Sequence, residues 1–189
     1  MALLLELLGR KVLLAGLKGV RVGEPASLFK ALAGREELKG VVFQLLDARR
    51  VAGREHLIVS VLNAMRAMEM GLNVSNDLGI EILTSASALR QISRAIELLG
   101  LKPDTVEVAV VFVSDREEGL YEALRAVASA LGGEEDDSVL EVEDGKAEEL
   151  IRAFGLGEAE IRACSRLGPR AEVVKALVVE KVALFMAYR

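Results

Sequence analysis

The feature that most constrains the fold is the order in which strand and helix patterns follow one another. The strongest strand pattern, "DTVEVAVVFVSD" at residues 104–115, is β-branched and alternates at its start. Strand patterns also occupy residues 2–22 and 40–48, and helix patterns cluster between the strands instead of alternating with them. This order predicts an α+β fold in which a single, mostly antiparallel sheet is flanked by helices. We expect one domain spanning residues 1–189.

Local signals place the boundaries of these elements. A two-residue turn at Gly9-Arg10 would join two strands of a hairpin, and Pro25 would begin a short helix. Gly71 would end a long helix, and Val139–Val142 would form a short edge strand. The predicted helices after the first are 49–71, 76–85, 87–98, 116–133, 144–154, 158–163 and a last one from Pro169 to the C-terminus.

The composition indicates a globular protein with an aliphatic core. Hydrophobic residues make up 52% of the chain, with no Trp and only seven Phe and Tyr together. Asn and Gln are scarce beside many charged side chains, which is typical of a thermophilic protein. We find no secretory signal pattern and no uncharged run long enough to span a membrane. The sequence therefore predicts a cytoplasmic protein without a membrane segment.

The charge is unevenly distributed along the chain. The formal net charge is −5, but residues 134–149 alone hold nine acidic residues and one Lys. The rest of the chain is then mildly basic. This balance neither favours nor excludes nucleic acid as a partner, and it leaves the role of the acidic segment open.

Patterns for catalysis, metal binding or cofactor binding are lacking. The chain has one histidine, His56, and one cysteine, Cys164, which we interpret as a buried apolar residue. No phosphate-binding loop, dinucleotide fingerprint or calcium loop fits the sequence. We therefore expect a binding or regulatory protein that is not an enzyme and has neither metal nor cofactor.

The last helix pattern, "PRAEVVKALVVEKVALFMAYR", is apolar around most of its circumference. One interpretation is a central core helix. The other is a helix that packs on its own domain and gives one flank, formed by Leu184, Met186 and Tyr188, to a partner protein.

Basic residues gather where the long helix is predicted to start. Arg49, Arg50 and Arg54 lie close to His56, and cations oppose the helix dipole at that end. They are either solvated charges paired with Asp47 and Glu55 or contacts for phosphates or for an anionic partner. Under the second interpretation, Arg90, further along the chain, would be a contact of the same kind.

Residues 76–100 contain polar side chains without an evident chemical role. Glu81 and Arg90 are spaced to form an ion pair across a corner between two helices, with Gln91 lining the joint. We interpret these three residues as a structural brace. In the second helix, Leu89, Ile92, Ile96 and Leu99 follow helical spacing and should face the core.

The run from His56 to Gly100 resembles the PRPK-binding-protein (TPRKB-like) family, the small accessory subunit of the KEOPS complex, in its archaeal form. The resemblance lies in "HLIVSVLNAMRAMEMGLN", "IEIL" and "RQISRAIELLGLKP". The strand "VEVAVVFV" and the late "EKVAL" follow in the expected order. The resemblance covers about half of the chain closely.

This resemblance implies an α+β, non-catalytic regulatory subunit that binds a small atypical kinase/ATPase. The kinase contacts the subunit that installs threonylcarbamoyl on an adenosine of tRNA. It also implies contact with the tRNA 3′ CCA end, for which the candidates are Arg49, Arg50, Arg54, His56 and Arg90.

Two alternatives stay open at the level of sequence. One is a small-molecule-binding domain or enzyme with an unrecognised pocket near residues 81–91. The other is a self-associating scaffold in which the last helix makes a weak homodimer.

Overall fold

The computed structural model describes residues 1–188, and the predicted continuation of the last helix to Arg189 lies outside them. Backbone contacts divide the chain into two compact units. The first unit comprises Met1–Ala48 and Gly100–Val139, and the second comprises Arg49–Leu99 and the chain from Leu140 onward. That the whole chain acts as one domain stays a prediction.

The sheet lies in the first unit, and all of its strand pairs are antiparallel. Its strands are β1 (Leu3–Leu7), β2 (Arg10–Lys18), β3 (Val42–Asp47), β4 (Glu107–Ser114) and β5 (Glu134–Glu135). Their order in the sheet is β1-β2-β4-β3, and β5 also pairs with β2. The predicted α+β fold with an antiparallel sheet is therefore confirmed.

Helices occur in both units. Short 3-10 turns also form at Glu36–Leu38, Ala48–Arg50, Asp137–Leu140, Ser165–Leu167 and Met186–Tyr188. In chain order the helices are α1 (Pro25–Ala33), α2 (Gly53–Glu69), α3 (Leu78–Ser87), α4 (Ile92–Leu99), α5 (Leu120–Leu131), α6 (Asp144–Phe154), α7 (Glu158–Ala163) and α8 (Arg170–Phe185).

The core of the first unit forms on one face of the sheet. Leu13 of β2 lies opposite Phe112 of β4, and both are fully buried with Leu45 of β3. Leu32 of α1 and Leu124 of α5 belong to the same apolar cluster. Alternate strand residues therefore share one layer with these two helices. The residues between them, such as Leu14 and Val111, are fully buried as well.

The hairpin between β1 and β2 was predicted correctly, but its turn lies one residue earlier than predicted. The turn residues are Leu8 and Gly9, with φ angles of 47° and 77°. Two consecutive positive φ angles belong to the turn type whose twist matches paired strands. Gly9 adopts this conformation readily, whereas Leu8 does so against the usual preference of L residues.

The acidic segment, whose role the sequence left open, begins by folding onto β2. The amide of Gly16 donates to Asp137 Oδ1 at 2.7 Å, and the amide of Asp136 donates to the Gly16 carbonyl at 2.9 Å. A Cβ at Gly16 would lie 2.5 Å from Val139 Cγ2. The predicted strand at 139–142 is therefore wrong, because the chain already pairs at β5 and then turns.

Charge pairing accompanies this contact. Lys18 Nζ lies 2.7 Å from Asp136 Oδ2. The hydrogen bonds from Lys18 and Ser138 hold the pKa of the Asp136 carboxyl well below its usual range. Asp136 therefore stays ionised at all ordinary pH values.

The second unit is helical, and the bounds of α2, α3 and α4 differ from the predicted ones. Ala48–Arg50 form a 3-10 turn, so that α2 begins only at Gly53. Ser87 ends α3 instead of starting the next helix, because Ala88 adopts a left-handed conformation with φ 53°.

Helix α4 turns a narrower apolar face inward than its sequence predicts. Ala95 and Leu99 are fully buried, Leu89 and Ile92 are half-buried, and Ile96 is 47% exposed. The prediction that Ile96 faces the core is therefore wrong. A helix of two turns has room for only a few contacts on one side.

Among residues 1–188, no helix combines the length and the apolar character needed to cross a membrane. The same residues contain no group of three or more His, Cys, Asp or Glu side chains arranged to hold a metal ion.

Candidate partner-binding surface

Helix α2 carries a buried row of polar side chains that organises the second unit. His56, Ser60 and Asn63 are spaced four and three residues apart, which places them on one side of the helix. All three are buried. Because buried polar groups require hydrogen-bond partners, their contacts show what the row does.

His56 links the start of α2 to the end of α3. The amide of Ala52 donates to Nδ1 at 3.0 Å, so the proton of the neutral ring lies on Nε2, which donates to the Ala86 carbonyl at 2.8 Å. The Phe154 ring lies edge-on, with ring centroids 5.7 Å apart.

Burial lowers the pKa of His56 to about 4, and the nearby positive charge of Lys146 contributes in the same direction. The ring is therefore neutral at pH 7 and fully buried. His56 cannot contact a phosphate from this position, which corrects its place among the predicted RNA contacts.

Asn63 links α2 to α8. Its Nδ2 donates to the Val182 carbonyl at 2.7 Å, and both residues are buried. Ser60 differs, because its hydroxyl donates within α2, to the His56 carbonyl at 2.6 Å.

Arg50 is likewise engaged inside the unit. Its Nε donates to Glu149 Oε1 at 2.8 Å, and its Nη1 donates to the Leu98 carbonyl at 2.8 Å. The side chain is 24% exposed. Most of its hydrogen-bonding capacity thus serves α4 and α6.

These contacts share one property. The last four carbonyls of a helix have no partner within it, and here side chains of other elements donate to them. We call these helix ends the cross-capped ends. They are α3 (His56 to Ala86), α4 (Arg50 to Leu98), α6 (Lys181 to Phe154, 2.8 Å) and α8 (Asn63 to Val182).

The predicted brace has a different arrangement from the one that its spacing suggests. The fully buried Glu81 carboxylate accepts from the amides of Val74 and Ser75, at 3.0 and 3.2 Å. Arg90 and Gln91 are exposed, and no Glu81–Arg90 ion pair forms among the described residues. Glu81 therefore fixes the loop before α3, since backbone amides within six or seven residues are nearer partners than a side chain beyond Ala88.

The predicted RNA-contacting arginines differ in exposure. Arg49 and Arg54 are half-buried and each has a contact within the chain. Arg90 is exposed. Of the arginines in the predicted set, Arg90 thus presents the most accessible charge.

The end of α8 carries apolar side chains on the surface. Leu184 is 45% exposed, Tyr188 is 76% exposed, and Met186 is half-buried. We call these three residues the α8 tip. Val182 and Phe185 are buried beside them, so α8 is both a core helix and the support of an exposed apolar end.

Comparison with known proteins gives these features a context. The sequence model of the family described as "Kinase binding protein CGI-121" matches residues 22–184. The chain belongs to this family. The family resemblance predicted from residues 56–100 is therefore confirmed.

A relative in the CGI-121 family is the regulatory protein Cgi121 of the archaeon Methanocaldococcus jannaschii. It is 36% identical over 113 residues, which cover 60% of this chain and 69% of the relative. A kinase-binding family and a relative named as regulatory support a regulatory, partner-binding role for this CGI-121 protein.

Proposed function

We propose that the protein is a non-catalytic, cytoplasmic subunit of a KEOPS-like complex that makes threonylcarbamoyladenosine in tRNA. It would dock on the complex's small atypical kinase/ATPase through the α8 tip and help to hold the tRNA 3′ CCA end. Membership of a kinase-binding family carries the proposal, and the exposed apolar side chains of the tip support docking there.

The α8 tip has the chemistry of an interface centre. Binding is favoured when a partner removes exposed Leu and Tyr side chains from water. Aromatic residues and Met are enriched in the centres of such interfaces. The tip also stands on a buried helix, so that little order has to be gained on binding.

A pull-down and titration with the cognate kinase would test the docking site. We expect Leu184→Glu combined with Met186→Glu to weaken binding at least about tenfold, because the two new carboxylates would be buried in the interface without partners. Tyr121→Glu is the matched control, since Tyr121 is also a partly exposed apolar residue but lies on α5. Undiminished binding by the tip variant would remove the tip as the docking site.

Support for the tRNA contact comes from exposed charge on the second unit. Arg90 follows the left-handed residue Ala88, and Arg94 on α4 is exposed as well. Single-stranded RNA ends are held in part by such cations on their phosphates. Arg49, Arg50 and Arg54 stay in the proposal as secondary contacts.

Binding of tRNA at several salt concentrations would test this part. We expect Arg90→Glu to weaken binding. It should also reduce the slope of the logarithm of the binding constant against the logarithm of the salt concentration by roughly one. Arg125→Glu, an exposed position on α5, should leave both quantities unchanged.

The double variant Arg49→Glu, Arg50→Glu should weaken tRNA binding further. Because Arg50 also holds Glu149 and Leu98, its folded fraction must be measured beside its affinity. Unchanged affinity and slope in both sets of variants would place the RNA site elsewhere.

A further inference from the structure

We infer that Asn63 is a positioning residue for the α8 tip, setting the geometry of kinase docking without touching the kinase. The inference rests on the proposed docking through Leu184, Met186 and Tyr188. Asn63 itself is 7% exposed and lies on α2.

The point of contact is the last turn of α8. Val182 is the first of the four residues whose carbonyls lack a partner further along the helix. The amide of Met186, which would continue the α-helical pattern to Val182, is directed to the Leu184 carbonyl instead. The Val182 carbonyl accepts from Asn63 Nδ2 at 2.7 Å.

This hydrogen bond lies in the last turn of α8, just before the backbone changes from an α-helix to a 3-10 turn. Up to Phe185 the backbone is α-helical, and Met186–Tyr188 form a 3-10 turn. The neighbouring residue Lys181 donates from Nζ to the Phe154 carbonyl of α6. Two consecutive residues of α8 are thus tied to two different helices just before the tip begins.

Asn63 is well placed to impose this geometry. It projects from a long helix whose buried row is fixed at His56 by contacts with Ala52 and Ala86. A short amide side chain on such a helix has little freedom, so the position of the Val182 carbonyl is fixed with it.

Loss of the donor would leave the Val182 carbonyl buried without this partner. The last turn of α8 could then satisfy the carbonyl by redirecting the Met186 amide to it or by opening toward water, and either change moves the tip. Leu184 and Met186 would sample more than one orientation, and docking would require that order to be restored.

The experiment compares Asn63→Leu with Ser60→Ala in the full chain. Leu keeps the branching of Asn at Cγ but cannot donate, so the hydrogen bond to α8 is lost. Ser60→Ala disturbs the same buried row, but its hydroxyl bonds within α2 and not to α8. Both variants are measured at temperatures where they are fully folded.

Two readouts separate positioning from general stability. We expect Asn63→Leu to raise the Kd for the cognate kinase about five- to tenfold and to speed hydrogen exchange of the amides of residues 184–188. Ser60→Ala should change neither. An unchanged Kd and unchanged exchange in Asn63→Leu would overturn the inference, as would equal effects of both variants.

The outcomes distinguish this inference from the docking proposal. If the Leu184→Glu, Met186→Glu variant binds the kinase normally, the docking proposal fails, while the exchange readout still tests the link from Asn63 to the tip without any kinase. If Asn63→Leu does not fold, Asn63→Ala is measured in the same way, and the same results support or overturn the inference.

Discussion

The two units differ in the contacts that their helix ends receive. In the first unit, α5 ends at Gly132, whose left-handed amide bonds back to the carbonyls of Ala128 and Ser129. In the second unit, the ends of α3, α4, α6 and α8 receive donors from other helices or turns. Local left-handed caps also end α3 at Ala88 and α6 at Gly155. The second unit therefore differs in the donors from distant segments that its helix ends receive in addition.

The sheet explains why a local device is sufficient in the first unit. All described strands lie there, and their backbone hydrogen bonds fix each strand against its neighbour. The helices need only pack their apolar faces on a surface that is already ordered.

The second unit has no such ladder among its described residues. Apolar packing between helices is non-directional and tolerates sliding or rotation. Four directional hydrogen bonds at the cross-capped ends remove that freedom, because each one fixes a helix end to a particular side chain. In the second unit, polar side chains thus specify how the helices are arranged, whereas in the first unit strand register does so.

The largest test concerns His56, the donor that caps α3. Below pH 6.5 the unfolded chain binds a proton on this ring, while the folded chain binds it only near pH 4. Protonation of His56 should therefore remove about 3 kcal/mol from the free energy of unfolding as the pH is lowered from 6.5 to 4.

Because His56 is the only histidine in the chain, its NMR titration can be followed directly. The expected midpoint is about 4. A midpoint near 6.5 would contradict the buried, neutral cap. Denaturant unfolding at several pH values gives the corresponding loss of stability.

The next test addresses the backbone contact of the first unit. We expect Gly16→Ala to destabilise the protein by about 2 kcal/mol, since the added carbon would overlap Val139 Cγ2 and lie 2.6 Å from the Asp136 carbonyl. Gly145→Ala on α6 is the control, because a Cβ there meets nothing within 4 Å. It should be neutral or slightly stabilising. Equal effects would mean that the close approach at Gly16 is not rigid.

The smallest test separates a cross-cap from a surface ion pair. Arg50 and Arg152 both bond Glu149, but Arg50 also holds the Leu98 carbonyl. We expect Arg50→Met to cost about 1.5 kcal/mol in chemical denaturation, because two partly buried acceptors lose their donor. Arg152→Met, at an exposed side chain, should cost less than about 0.5 kcal/mol. Similar costs would mean that the cap on α4 contributes little.

The sequence predicted most elements of the fold because their signals are local. The β-branched pattern gave β4, Pro25 marked the start of α1, and α6 and α7 have the predicted bounds. The family also followed from a local run, residues 56–100. Local patterns carry this information because propensity, capping and amphipathic spacing act over a few residues.

The contacts that define the candidate site could not be predicted in the same way. His56 and Arg50 looked like surface cations at a helix start, yet their partners Ala86, Leu98 and Glu149 lie far along the chain. Asn63 belonged to the family pattern, but nothing in the sequence identified Val182 as its acceptor. A side chain's partner across the fold is set by tertiary packing, and only the structure supplies it.

The position of β2 in the sheet has a consequence for folding during synthesis. This apolar strand is made near the start of the chain, but its long partner β4 is made only after β3 and the four helices α1 to α4 have followed. Until then the nascent chain holds β2 with one neighbour from its hairpin and one open edge. Assembly of the sheet is therefore a late, long-range event that should limit the folding rate, whereas the helices between these strands can form as they leave the ribosome.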